Sequence, residues 1–411
     1  MEKKTFTLFE MLISLTVLAL IIGMLISIIK PHEMYKKIRD NQRISDLNYL
    51  ETNIKTYLLN INTSSIYTTS TLNRVFLSIQ LPSNATNTNC KNYFPDLPSL
   101  PSGWEYVCSK NPTSTDGTGW IPIDFRNYLA FQIQNLPLDP FNNSIYYYSF
   151  VASGSNFAIY AQLEDPRNQA SKNDGDNYPY LYSVGDNKRL IDQAQGLVLY
   201  LPFDEGSGNI AYDKSGNGNN GTLLDASSTN ADGNRPSQWV AGKVGGALSF
   251  DGVDDYVEVT GMTAKNALTY TQPFTISVWV KVSDIARRQI IQRAASANDR
   301  IFLLIESNRA VLGLYDGTVW TKVQSGAIIS TNTWYHIVGV HRGNKVLEVW
   351  ANGEKYISSS TLGYGYPWIN IRIGSYSYYN NDWFQGIIDK IRIYNRALSD
   401  QEIKALYEAT K

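Results

Sequence analysis

The chain is poor in the side chains that carry most metal and redox chemistry, with three histidines and two cysteines among 411 residues. That scarcity turns the reading away from metal–histidine centres. It also lacks a charge excess: Lys and Arg number 36 against 37 Asp and Glu, a net charge of -1. Without a basic surplus a nucleic-acid partner has no electrostatic support, and none is expected. Aromatic residues are plentiful at 12%, with 28 tyrosines. Such a composition suits strand-rich surfaces that face sugars or proteins. At this length, two or three domains are expected.

The two cysteines, Cys90 and Cys108, close a short loop rich in Asn, Pro, Ser and Thr. In a protein that leaves the cytoplasm such a pair forms a disulfide, contributing about 3 kcal/mol by chain entropy. Two free thiols are the alternative.

Charge is also missing from Met11 to Ile29. At about 1.5 Å per residue this run makes a helix roughly 28 Å long, enough to cross a hydrocarbon core. No small-residue cleavage site follows it, so the segment is expected to be retained. Glu10 stands at its edge, and a carboxylate bordering lipid is a functional candidate. A first-turn glutamate that favours the helix dipole is the plainer account. Beyond Pro31, the residues Met34, Ile38, Ile44, Leu47, Leu50, Ile54 and Leu58 form an apolar stripe at helical spacing. One long helix, kinked near Pro31, is expected to reach about residue 60.

The stretch "KKTFTLFEMLISLTVLALIIGMLI" resembles the leader and first helix of type IV prepilins and pseudopilins. Lys3 and Lys4 match the basic leader, and Phe6, Thr7, Leu8 and Glu10 match the motif after the cleavage site. Thr5 stands where that family has a glycine. The resemblance implies cleavage by a prepilin peptidase before Phe6, N-methylation there, and pairing of Glu10 with a neighbouring subunit's amine. It further implies membrane lipid and other pilin subunits as partners, at a bacterial cytoplasmic membrane and cell surface or pilus with the C-terminal domains outside.

Residues 61–180 read as a small α/β head. Ile145–Val151 and Asn156–Leu163 alternate as a hairpin around Ala-Ser-Gly-Ser. "NLPLDPFNNSIYYYSFVASGSNFAIYAQLEDP" is similar to the end of many pilin-like heads, with a P-x-D-P turn and a terminal A-x-L-E strand. The polar segment 181–195 reads as a linker.

From residue 196 to 411 short strands repeat with turns between them, the pattern of a two-sheet sandwich. In "FTISVWVKV", Phe274, Ile276, Val278, Val280 and Val282 share one face. In "GIIDKIRIY", strict alternation puts Asp389 on a face with Ile387, Ile391 and Ile393, where a carboxylate demands a partner. The loop after Phe203 offers Asp204, Gly206 and Asn209, with Asp213 close behind. Hard oxygen donors without His or Cys suit Ca²⁺. Five segments, "GLVLYLPFDEGSGNIAYDKSGNGNNGTL", "GKVGGALSFDGVDDYVEV", "PFTISVWVKV", "TWYHIVGVHRGNKVLEVWANGE" and "FQGIIDKIRIYNRALSDQEIKALY", look very like the concanavalin A-like, laminin G-like jelly-roll family. The resemblance implies a lectin-like sandwich with a structural Ca²⁺ held by Asp204, Asp389 and a carbonyl near Gly206, with Asn209 or Asp213 as further ligands.

Enzymes on that fold carry paired carboxylates on one strand as Glu-x-Asp-x-x-Glu. Glu258, Glu306, Glu348 and Glu354 are each followed by residues that do not complete it, so no enzyme is expected. Aromatic platforms for a glycan are offered by Tyr364, Tyr366, Trp368, Tyr376, Tyr378, Tyr379 and Trp383, with Tyr315 and Trp320 in another loop. Ser399 and Glu402 form a capping box opening a last helix.

The fold expected is therefore α+β and multidomain. It comprises a leader (1–5), an N-terminal helix (6–60) spanning the membrane, a pilin-like α/β head, a linker and an all-β jelly roll. The expected work is glycan recognition or adhesion by a minor or tip pilin-like subunit. A surface-anchored carbohydrate-active enzyme and a purely structural pseudopilin with a protein-binding jelly roll are the alternatives.

Overall fold

A computed structural model describes the chain outside residues 1–6, 61–72, 127–132, 155, 173, 226–237, 263–271, 294–299, 316–319, 344–345, 360–369 and 376–381. Two helices open it, α1 (Leu8–Ile29) and α2 (Pro31–Asn60). They are not one kinked rod. Lys30 adopts a left-handed φ of 44°, and Pro31 opens α2, where its missing N–H costs nothing.

Among the described residues no helix is long and apolar enough to cross a membrane, which corrects the expected transmembrane helix. The side chains of Ser14 and Thr16 in α1 are occupied with its own backbone carbonyls. A membrane-anchored N-terminus, and the localisation drawn from it, are withdrawn with that expectation. Thr5 and Phe6 lie outside the described residues. Glu10 has a local partner: its carboxylate accepts the amide and hydroxyl of Thr7, both at 2.9 Å. The Glu10 amide donates to the Thr7 hydroxyl in return. These bonds hold the carboxyl below its ordinary range, as a first-turn cap does.

α2 lies on a five-stranded sheet of order β2-β1-β3-β4-β5. Its strands are β1 (Arg74–Gln80), β2 (Glu105–Ser109), β3 (Tyr148–Ser153), β4 (Asn156–Gln162) and β5 (Leu181–Gly185). Leu47, Leu50 and Ile54 of α2 are fully buried with Phe150, Phe157 and Ile159 of the sheet. Met34 and Ile38 stay more than half exposed, so only the second half of the apolar stripe packs. Where the stripe fails, charge holds the helix. Arg43, wholly buried, meets Asp139 at 2.6 Å, Asp40 at 2.9 Å and Glu164 at 2.7 Å. Asp139 and Glu164 belong to the P-L-D-P and L-E-D-P turns, so both turns close onto one guanidinium. Cys90 and Cys108 are joined as a disulfide.

The segment 181–195 is not a linker. It supplies β5 and a short helix, Leu190–Ala194. The following domain is a sandwich of two eight-stranded sheets among the described residues. The first centres on strands Phe274–Val282 and Gln385–Tyr394, the second on Arg288–Arg293 and Arg300–Glu306. Phe274, Ile276, Val278, Val280 and Val282 all enter the core between them, as their alternation predicts. Asn352 and Gly353 take φ of 50° and 83° between paired Ala351 and Glu354, the left-handed pair that a two-residue hairpin requires.

Head and sandwich share a core. Val75, Leu77 and Tyr106 of the head cluster with Val338, Val340, Trp350 and Tyr394 of the sandwich and Ile403 and Leu406 of the last helix, Asp400–Thr410. That helix carries the expected Ser399–Glu402 capping box. It covers the outward face of the first sheet: Trp279 Nε1 donates to Thr410 Oγ1 at 2.9 Å, and Tyr407 stacks 5.9 Å from the Trp279 ring.

Candidate functional site

The strand Gln385–Tyr394 decides the site. Ser277 pairs with Arg392 and Trp279 with Asp389, so Lys390 and Ile391 together face Val278 alone. This is a β-bulge, and Lys390 absorbs it with a φ of 51°. The extra residue reverses the alternation expected from sequence. Ile388, Ile391 and Ile393 point into the sandwich core, whereas Asp389 pairs with Trp279 and Arg392 with Ser277 outside it. Asp389 does not share a face with Ile391 and Ile393.

Lys390 also fills the expected calcium position. Its Nζ lies 2.7 Å from Asp204 Oδ2, 3.8 Å from Asp389 Oδ1 and 3.1 Å from the Pro202 carbonyl. Asp204 Oδ1 accepts the Gly246 amide at 2.7 Å, and Asp389 Oδ2 accepts that of Val244 at 3.0 Å. Asp389 is fully buried, and burial pushes its carboxyl up to about 6 against the pull of Lys390. Asp213 is engaged elsewhere, accepting amides of Tyr200, Ser215 and Asn219 and the hydroxyl of Ser215. Asn209 turns its carbonyl to the Leu223 amide. Gly206, at a φ of 71°, only turns the loop. This set does not fit a calcium ion: an ammonium already stands between the two carboxylates.

Two glycines make the close approach possible. A Cβ on Gly242 would stand 2.6 Å from Asp389 Oδ2, and one on Gly245 would stand 2.4 Å from Asp204 Oδ1. The sequence reading missed Lys390, Gly242 and Gly245. The available signals were a cation adjoining Asp389 and the spacing of "GKVGG".

A second acidic group, Asp251, Asp254 and Asp255, gathers in the turn before strand Asp255–Val259. Its carboxylates serve that turn: Asp251 Oδ1 accepts the Val253 amide and Asp255 Oδ2 that of Asp251.

The aromatic candidates divide. Tyr364, Tyr366, Trp368, Tyr376, Tyr378 and Tyr379 lie outside the described residues. Trp383 is not an exposed platform; it is buried with its ring 6.2 Å from Tyr256. Tyr315 is half-buried at the end of strand Arg309–Tyr315, opposite Trp320 in the register. The four glutamates weighed as acids or nucleophiles all have partners. Glu258 pairs with Arg372 at 2.9 Å, Glu306 with Lys322 at 3.2 Å and Glu348 with Arg342 at 2.6 Å, while Glu354 accepts the Tyr356 hydroxyl.

Residues 251–404 match the family described as the concanavalin A-like lectin/glucanases superfamily, in its laminin G form. The C-terminal domain is thus a concanavalin A-like, laminin G-like jelly roll. The match does not reach the N-terminal segment, where a pilin role finds no support. No curated protein matches the chain. Among solved structures, the chain is similar to domain 4 of AbnA, a GH43 extracellular arabinanase from Geobacillus stearothermophilus, in complex with arabinotriose. Identity is 21% and TM-score 0.43, covering 51% of this chain and 98% of that one. It is also similar to the binding domain of Paraclostridial Mosquitocidal Protein 1, at 20% identity, TM-score 0.42 and 52% of each chain. The botulinum neurotoxin serotype D binding domain follows at 16% identity and TM-score 0.41, covering 52% of this chain and 51% of that one. The chain spans about half the length of these last two.

Proposed function

We propose that this chain recognises glycans through its jelly-roll domain without hydrolysing them. The observation that carries the reading is the match of residues 251–404 to a lectin and glucanase superfamily. The ion pairs that engage Glu258, Glu306 and Glu348 favour binding over hydrolysis, because a retaining glycosidase needs two carboxylates about 5–5.5 Å apart flanking the bond. The first sheet's outward face is covered by the terminal helix and the head. Recognition is therefore assigned to the second sheet and its loops, with Tyr315 and Trp320, opposite each other in the register, as the aromatic candidates.

A glycan array probed with the full chain tests this. Retention of a defined set of saccharides, with no new reducing ends after prolonged incubation, is the expected result. Retention should fall on Trp320→Ala. An array with no retained saccharide overturns glycan recognition, and release of reducing ends overturns its non-catalytic character.

A further inference from the structure

A cavity of about 200 Å³ lies where the head meets the first sheet of the jelly roll and the end of the terminal helix. Arg392 lines it, and Arg392 is the anomaly. The residue is 4% exposed, yet its Nε has no hydrogen-bond partner. Among the described residues no carboxylate forms an ion pair with its guanidinium. Its guanidinium lies over the Tyr200 ring, 4.0 Å from the ring centroid. Stacking on a ring leaves the in-plane N–H donors of a guanidinium available to a ligand, and a buried donor without a partner, as Nε is here, is costly.

The neighbouring carboxylates are otherwise occupied. Asp204 answers Lys390 and the Gly246 amide. Asp389 is tied to the Val244 amide and leans towards Lys390. Asp176, also lining the cavity, has an Oδ2 without a partner. Burial and the nearby Asp174 and Asp192 push its carboxyl well up. Lys172 adds a second cation at the rim. The cavity thus combines one buried guanidinium, from Arg392, and one cation at the rim, from Lys172.

We propose that this cavity binds a small oxyanion, a carboxylate or phosphate group, which docks on the Arg392 guanidinium with Lys172 closing over it. A planar guanidinium pairs with either group through two parallel N–H bonds. The proposal does not depend on the glycan reading.

The test is calorimetric titration of the full chain with inorganic phosphate, glucuronate and, as the neutral control, glucose. Saturable binding of phosphate, glucuronate or both is expected, with none for glucose. Whichever anion binds identifies the source of the group. Arg392→Lys should weaken binding by about tenfold or more, because it keeps the charge but loses the fork. Lys172→Ala, at an exposed position, should weaken it by several-fold while leaving the unfolding temperature unchanged. If Arg392→Lys does not fold, Lys172→Ala and the wild-type titrations decide alone. No saturable anion binding, equal binding of glucose, or full affinity in Lys172→Ala overturns the proposal.

Discussion

The amine of Lys390 stands 2.7 Å from a carboxylate oxygen of Asp204 and bridges it towards Asp389, 3.8 Å away. An ammonium here ties the loop after the first jelly-roll strand to the last one. It reaches that place because a bulge brings two successive residues, Asp389 and Lys390, to one locus.

Removing the ammonium should expose this dependence. Lys390→Met leaves Asp389 buried with backbone donors alone, and we expect a loss of about 2–4 kcal/mol near neutral pH. Chelator should leave the wild-type unfolding temperature unchanged. In Lys390→Met, millimolar Ca²⁺ should restore part of the loss, since two carboxylates then face an open position. Thermal unfolding of both proteins with chelator and with Ca²⁺ checks this; a chelator-sensitive wild type would overturn the assignment.

Asp192 gives a pH dependence. It is 1% exposed, and burial lifts its carboxyl from 3.8 to about 8 despite a hydrogen bond from Asn177. Between these values the folded state holds a proton that the unfolded chain releases, so stability falls as pH rises. The buried His336, lowered by burial from 6.5 to about 3, slopes the other way but only below 6.5. Urea unfolding from pH 6.5 to 8 should therefore show declining stability, flattened in Asp192→Asn. An unchanged slope in the variant would remove Asp192 as its source.

The third prediction concerns the joint between head and jelly roll. Arg396 and Glu402 are both buried and meet at 2.6 Å, and Arg396 also reaches the Gln195 carbonyl at 2.6 Å. Glu402→Leu strands the guanidinium beneath the terminal helix and removes half of the capping box. We expect a cost of about 3–5 kcal/mol. Hydrogen exchange should show lost protection at Ile403 and Leu406 before the jelly-roll strands open. Uniform loss across the whole chain would refute a local role for the pair.

Much of the architecture was legible because period and turn chemistry are local. Phe274 to Val282 alternates, Asn352–Gly353 supplies a left-handed turn, and Ser399 with Glu402 announces a helix start. The candidate site was legible only in part. Asp204 and Asp389 do come together, but the partner between them is a lysine, because alternation cannot register a bulge at Lys390. The membrane reading of residues 6–29 rested on apolar length. Among the described residues no helix is both long and apolar enough to cross a bilayer. Trp383 read as an exposed platform, yet it packs on Tyr256, a neighbour far away in sequence.

By itself the sequence determined the strand-rich character of residues 196–411, the disulfide-competent loop at Cys90 and Cys108, and the helical start at Ser399. Each follows from patterns within short stretches of the chain. Only the tertiary structure decided which carboxylates are satisfied, that Arg43 is caged by two turns, and that head and jelly roll share one core. Those outcomes depend on side chains separated by scores of residues, whose desolvation must be balanced by whichever partner the completed fold brings within hydrogen-bond reach.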